Sequence, residues 1–212
     1  MKKLFYATVL FVLMGCKNNS NTSLESFQTI TDIFDKSEIE DLNIILNFFN
    51  AQICSIENKT NITDCYRNFF KRLEASLEEG YLDLRISFQD QQEMYNQISQ
   101  NTFNQIWTFN KSWHWGSSDT LKSIDLKSGS TKYKAFLESF GKENNTISDY
   151  NKWFTMRGGI SRDVLWDYKR YDIRDPRIQL VVAIHYLTIN DEFEREEKWQ
   201  CTLLSRCCKE SK

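Results

Sequence analysis

The strongest constraint on the fold is a pair of apolar stripes with the three- and four-residue spacing of one face of an α-helix. The first stripe consists of Ile39, Leu42, Leu46, Phe49 and Ile53, and the second of Tyr66, Phe69, Phe70, Leu73 and Leu77. Ser37 and Glu40 have the spacing of a capping box before the first stripe. Asp64 can cap the second helix, and Gly80 can end it. Because only a short polar loop separates the stripes, we expect two helices packed antiparallel.

Two cysteines lie at the connected ends of these predicted helices. Cys54 ends the first stripe and Cys65 precedes the second. Antiparallel packing brings the two residues towards each other, so we predict a disulfide that closes the hairpin. Two buried free thiols are the alternative.

Three further cysteines, Cys201, Cys207 and Cys208, lie near the end of the chain. Adjacent cysteines rarely pair with each other, so we predict a disulfide between Cys201 and either Cys207 or Cys208, ahead of a redox role. Five cysteines follow Cys16, and the odd number leaves at least one thiol free, reduced or paired between chains. No metal site is expected, since zinc sites use closely spaced pairs of ligands and both histidines of this chain are distant.

The remaining segments alternate between helical and irregular patterns. Residues 82–88 alternate as a strand does, and this segment either pairs with an unseen partner or is an extended connector. Residues 89–99 are predicted to be helical, and residues 116–130 to form a long surface loop. Asp175 and Pro176 begin the helix that we expect to be the most buried, with Ile178, Val181, Val182, His185 and Ile189 on one face.

Composition supports the same fold class. The chain of 212 residues has one proline and seven glycines, too few for an all-β sandwich with many tight turns. We therefore predict a mainly α protein: a single domain over residues 31–212 with about seven or eight helices. Residues 82–88 are the one short strand candidate.

The N-terminus carries an export signal. Lys2 and Lys3 precede the apolar run 4–14, which is shorter than the roughly 20 residues that a membrane-spanning helix needs. Leu13, Gly15 and Cys16 then match the end of a lipobox, and residues 1–16 resemble a bacterial lipoprotein signal.

The resemblance implies that residues 1–15 are removed and that Cys16 is lipidated. Residues 16–30 would then form a flexible tether. The expected location is the bacterial cell envelope, and Lys17 after the cysteine favours the outer membrane, on its periplasmic or surface face. An ordinary cleaved signal, in which Cys16 is incidental, is the alternative.

Charge excludes one class of partner. Loss of Lys2 and Lys3 lowers the 27 basic residues to 25, against 29 acidic residues. A mildly acidic protein without a basic stripe is a poor nucleic-acid binder. The expected partners are the membrane, through the lipid anchor, and an envelope protein or glycan.

Trp113, His114 and Trp115 form the candidate ligand surface. Aromatic faces beside an imidazole can bind a sugar or a peptide by stacking and hydrogen bonding. The alternative is a core edge packed under the following loop. His185 lies on the apolar face of a buried helix, where a hydrogen-bonded core residue is expected.

No catalytic residue is assigned. The chain has no phosphate-binding loop and none of the common hydrolase motifs, and no cofactor is expected. The sequence favours a non-enzymatic interaction or ligand-binding lipoprotein. One alternative is an envelope enzyme acting on peptidoglycan or glycans, with His114 and an unidentified carboxylate as acid and base. The other is a structural envelope component.

Overall fold

The structure is a computed structural model that describes residues 23–57, 61–79, 82–113, 120–157 and 168–210. Within these ranges, residues 57, 112–113, 120–122, 157 and 197–210 are described by their backbone alone. The lipobox residues Leu13, Gly15 and Cys16 lie outside the described residues. So do His114 and Trp115.

The described residues form eight α-helices and one two-stranded antiparallel sheet, which confirms the mainly α fold. The helices are α1 (Gln28–Thr31), α2 (Lys36–Glu57), α3 (Ile62–Glu78), α4 (Phe88–Gln97), α5 (Gln100–Ile106), α6 (Lys132–Gly141), α7 (Asn145–Arg157) and α8 (Pro176–Glu210). The strands are β1 (Trp107–Trp113) and β2 (Thr120–Leu126), and short 3-10 helices span Leu24–Ser26 and Tyr168–Arg170.

The predicted hairpin is the pair α2 and α3, and its disulfide is confirmed. Cys54 and Cys65 are bonded, with their Cα atoms 4.9 Å apart. Their link joins the end of α2 to the first turn of α3. Apart from Leu77, which is only partly buried, the apolar stripes of both helices are buried in one core, with Phe49 and Phe69 in edge-to-face contact at 5.4 Å.

The predicted caps of this hairpin are wrong by a few residues. Asp35, not Ser37, caps α2: its carboxylate accepts from the amide of Glu38, while Glu38 accepts from the amide of Asp35. Asn61, not Asp64, caps α3 by accepting from the amide of Thr63. Several adjacent polar residues satisfied the capping pattern equally well, so the sequence could not separate them.

Helix α8 is the central element, as its apolar face predicted. Its residues 180–185 and Leu187 are completely buried, and the helix contacts α2, α4 and β2. The side chains on every face of this segment are therefore covered by the rest of the fold. Of the elements that carry the candidate site, α4 packs directly on α8, and β1 pairs with β2, which packs on α8 as well. Helix α8 therefore fixes their positions relative to one another.

The continuation of α8 does not accommodate the predicted tail disulfide. The backbone is helical through Glu210, so Cys201 and Cys207 are six residues apart on one helix. That spacing separates Cα atoms by about 9 Å along the axis, and Cys208 is farther still. A disulfide needs Cα atoms within roughly 4.4–6.8 Å of each other.

The sheet corrects the prediction of a surface loop over 116–130. Residues 120–126 pair antiparallel with β1, in a register that places Trp107 opposite Leu126 and Phe109 opposite Ile124. Ile124 and Leu126 are buried, and β2 packs against α8. A strand forms here because these two apolar side chains, two residues apart, can both face the central helix.

The segment 82–88 is an extended connector, and Phe88 is the first residue of α4. Leu84 and Ile86 are buried while Arg85 is exposed, so the alternation in the sequence reflects burial without strand pairing. Arg85 adopts a positive φ of 51°, which interrupts an extended strand conformation.

Ordered structure begins before the end of the predicted tether. Leu24 and Ile30 are completely buried in the core, although residues 16–30 were expected to be flexible. None of the helices in the described part of the chain combines the length and the apolar character needed to cross a bilayer.

Candidate ligand-binding groove

The predicted ligand surface can be located only at its first residue. Trp113 ends β1 and is described by its backbone alone, and His114 and Trp115 follow outside the described residues. Phe109 lies four positions before Trp113 on the same strand. Its side chain is 43% exposed, which is unusual for a phenylalanine in a fold with a large core.

Phe109 lies on the core-facing side of β1, at the position where this side becomes exposed to solvent. Side chains on a strand alternate, so Trp107 and Phe109 project to the same side of the sheet. Trp107 is completely buried on α8, where its indole N–H donates to the hydroxyl of Thr188 at 2.8 Å. Phe109, one step further along this face, is only partly covered.

A groove with a cavity volume of about 190 Å³ lies beside Phe109. Helices α4 and α5 and the elbow between them form its other walls. Its lining residues are Gln92, Tyr95, Asn96, Ile98, Gln100, Phe103 and Phe109.

The elbow between α4 and α5, at Ile98 and Ser99, is fixed by hydrogen bonds to a buried carboxylate on the core side. Asp41 on α2 accepts hydrogen bonds from the amide and hydroxyl of Ser99, at 3.0 and 2.7 Å. It also accepts from the hydroxyl of Thr102 at 2.6 Å. Ser99 in turn caps α5. These contacts fix the angle between the two helices and therefore the shape of the groove.

Helix α4 is attached to α8 by a second buried polar contact. The side-chain amide of Gln91 donates to the carbonyl oxygen of Leu187 at 2.7 Å and to the hydroxyl of Tyr95 at 2.6 Å. Its own oxygen accepts from Asn190 at 2.8 Å. The walls of the groove are thus supported by α2 and α8, and the groove is preorganised.

Aromatic rings form the floor of the groove. The Phe103 ring stacks on that of Phe109 at 5.5 Å, and Tyr95 contacts Phe103 edge-to-face at 5.4 Å. Burial, with a smaller contribution from Asp191, raises the pKa of Tyr95 well above its ordinary value. The phenol therefore stays neutral and can donate a hydrogen bond at any physiological pH.

The lining residue Gln92 contacts an ion pair whose two charges neutralise each other. Asp191 is completely buried and accepts from Arg195 at 2.6 and 3.1 Å. Gln92 bridges the pair, since its amide donates to Asp191 at 3.0 Å and its oxygen accepts from Arg195 at 3.1 Å. The Arg195 guanidinium also lies 5.8 Å from the centre of the Phe109 ring. A ligand in the groove would meet little net charge.

A larger depression of about 540 Å³ lies between the N-terminal segment and α6. Its partly buried cation, Arg177, is already engaged: it donates to Asp175 at 2.8 Å and to Glu143 at 3.0 Å. The guanidinium also lies 4.6 Å from the Phe27 ring and 4.1 Å from the Phe140 ring. We therefore infer that the contacts of Arg177 attach the N-terminal segment to the rest of the fold and do not form a ligand site.

His185 is a core residue, as predicted. It is completely buried, and its Nδ1 lies 3.2 Å from the hydroxyl of Tyr150. Burial lowers the pKa of His185 to about 3, so the imidazole is neutral. In this position it cannot exchange protons with a substrate at the surface. In the described part of the chain, no three His, Cys, Asp or Glu side chains are grouped as metal ligands.

Sequence reasoning indicated the aromatic segment that contains β1, but predicted neither this strand nor the groove. Aromatic residues are dense over 103–115 in the sequence, and Phe103 and Phe109 are among them. Gln92, Asn96 and Gln100 gave no signal, because exposed amides on a helix are common and their convergence depends on the elbow at Ser99.

Comparisons of this chain with protein-family models, with curated proteins and with solved structures found no match.

Proposed function

We propose that this protein is a lipid-anchored envelope protein that binds a ligand without transforming it, through the groove beside Phe109. The observation that carries the binding role is the partly exposed Phe109 above a preorganised groove. Exposed aromatic rings with converging polar groups are typical of binding sites. The proposed location is the bacterial envelope, on the outer membrane.

The anchor is supported by the match of Leu13, Gly15 and Cys16 to a lipobox. Leu24, the first buried residue in the described part of the chain, lies eight residues after the proposed lipidated cysteine. A fully extended chain of that length spans roughly 28 Å. Acylation of Cys16 would therefore hold the domain close to the membrane surface.

Binding is favoured over catalysis by the chemistry of the groove. Its lining consists of amides, aromatic rings and Ile98, which supply hydrogen bonds and apolar contact. The one titratable side chain in this lining, Tyr95, has a raised pKa and remains neutral. General acid–base catalysis needs a group that changes protonation near the working pH.

The anchor is tested by intact mass and membrane fractionation of the wild type and of Cys16→Ser. We expect the wild type to carry a lipid-sized mass and to sediment with membranes, and the variant to lack that mass and stay soluble. Cys208→Ser is the matched control and should behave as the wild type. If Cys16→Ser were cleaved and distributed like the wild type, the lipid anchor would be excluded.

The groove is tested by photo-crosslinking in intact cells, with benzoylphenylalanine at position 109 or, as control, at position 153. Trp153 is 46% exposed, so both positions offer a surface aromatic residue. We expect a discrete adduct from position 109 alone. Equal adducts at both positions, or none at 109, would argue against a binding role for the groove.

A further inference from the structure

We propose that the ligand of the groove is an uncharged sugar, held with one ring against Phe109. This inference rests on the proposed binding function and adds the chemical class of the ligand. Three observations carry it: the neutrality of the lining, the set of amide side chains, and the exposed aromatic ring beside them.

The electrostatics of the groove disfavour charged ligands. Its lining contains no acidic or basic side chain. The two charged residues that Gln92 contacts, Asp191 and Arg195, are joined to each other by two hydrogen bonds. The Nε and Nη2 groups of Arg195 already donate to Asp191, so this edge of the guanidinium is not open to a bidentate contact with a phosphate or carboxylate. An ammonium group would find Asp191, the acid that Gln92 contacts, already paired with Arg195. A neutral ligand leaves the arrangement intact.

The amides match the hydrogen-bonding needs of sugar hydroxyls. A hydroxyl both donates and accepts, and an amide side chain offers both an N–H and an oxygen. Gln92 is oriented by Asp191 and Arg195 and keeps a second N–H. Asn96 is exposed, and no hydrogen bond to its side chain is found among the described residues. Gln100 donates to Asn104 and keeps its oxygen.

The aromatic ring supplies the apolar half of the interaction. A pyranose ring presents C–H groups on one face, and such groups pack well on an aromatic surface. Phe103 stacks behind Phe109 and restrains it, so little side-chain freedom is lost on binding. A purely apolar partner would cover the same ring but would leave the amides of the groove without partners.

The size of the groove limits how much ligand it covers. A cavity of about 190 Å³ is smaller than the roughly 300–1,000 Å³ of pockets that enclose drug-sized ligands. We infer that one ring is bound and that the rest of any longer glycan extends into solvent.

The test is a binding titration followed by ligand-observed NMR, using the full chain purified in a detergent without a sugar headgroup. The probes are N-acetylglucosamine, glucose and galactose, with glucuronate and glucosamine at pH 6 as charged counterparts. We expect at least one neutral sugar to bind, and its charged counterpart to bind about tenfold more weakly.

Three variants locate the site. Phe109→Ala and the isosteric Asn96→Asp should each lower the affinity for the neutral sugar by about tenfold. Trp153→Ala, at another exposed aromatic residue, should change the affinity less than twofold. Both altered groove residues are at the surface, and unchanged circular dichroism would confirm folding.

Failure of this inference is distinguishable from failure of the proposed function. Absence of binding by every neutral sugar, or equal binding of glucuronate, would overturn the sugar assignment. So would unchanged affinity in Phe109→Ala. A specific protein adduct at position 109 without sugar binding would overturn the sugar assignment and leave the binding function intact. Absence of both would overturn the two together.

Discussion

At the scale of single residues, the buried histidine of α8 makes stability depend on pH. Its Nε2 atom has no hydrogen-bond partner among the described residues, and its pKa is lowered by burial to about 3. The ordinary pKa of histidine is about 6.5. The unfolded chain therefore takes up the proton first as the pH falls.

We expect the free energy of unfolding to decrease as the pH falls from about 6.5 towards 3, with a slope from His185 of at most about 1.4 kcal/mol per unit. Above about pH 6.5 this contribution to the pH dependence disappears. Urea unfolding between pH 7 and pH 5 measures it, in a range where carboxylates contribute little.

In His185→Leu the free energy of unfolding should lose this dependence on pH, whether or not the variant is as stable as the wild type at pH 7. His114→Gln, at the only other histidine of the chain, is the matched control and should keep it. Parallel pH profiles for the wild type and His185→Leu would contradict the assignment of the slope to His185.

The buried carboxylate beneath the groove is the second residue whose effect can be predicted. Asp41 accepts three hydrogen bonds from Ser99 and Thr102. Asp41→Ala leaves these donors without their partner, and we expect a loss of about 1–3 kcal/mol in the free energy of unfolding. Chemical denaturation measures this loss.

Asp32→Ala provides a control at an exposed aspartate and should change stability by less than about 0.5 kcal/mol. If Asp41→Ala were as stable as this control, the carboxylate would not be what holds the elbow.

At the scale of elements, the sequence could identify the helices whose apolar faces pack on the core. The stripes of α2 and α3 are strictly periodic, so both helices and their disulfide were predicted. The strand β2 was missed because Ser, Asp, Lys and Gly residues dominate its surroundings. For the segment 82–88 the sequence left a strand and an extended connector as alternatives, because a buried extended segment alternates in the same way; the structure has the connector.

The groove could not be predicted at this scale. Its walls come from α4, α5 and β1, and their meeting depends on Asp41 of α2 and Gln91 against α8. These contacts join residues 58 and 96 positions apart in the chain. No local pattern in the sequence encodes such distances.

The Cys54–Cys65 disulfide should contribute to stability by restricting the unfolded hairpin. The bond closes a sequence separation of 11 residues, for which a loss of about 2–4 kcal/mol is expected when both cysteines become alanine. Urea unfolding of the double variant Cys54→Ala/Cys65→Ala measures it. Reductant should lower the stability of the wild type and leave that of the double variant unchanged. Equal sensitivity of both proteins would assign the effect to other cysteines.

At the scale of the whole molecule, one core includes the N-terminal segment that follows the proposed anchor. Leu24 and Ile30 belong to the same buried cluster as α8. Arg177 near the start of α8 donates to Thr29 at 3.2 Å and lies over Phe27. A pull on the tether would therefore act directly on the central helix. The segment belongs to the fold because its apolar residues, although few, fill space between α2 and α6.

We expect Leu24→Ala to destabilise the entire domain by about 2–5 kcal/mol, because it removes a completely buried side chain from the shared core. Glu25→Ala, at the exposed neighbouring position, should change stability by less than about 0.5 kcal/mol. Circular dichroism and tryptophan fluorescence, followed in the same denaturation, should both shift in Leu24→Ala and should remain coincident. If the transition were unchanged, the segment would be only loosely attached. The lipid anchor would then lead into a flexible linker longer than eight residues, and the groove could sample a wider range of distances from the membrane.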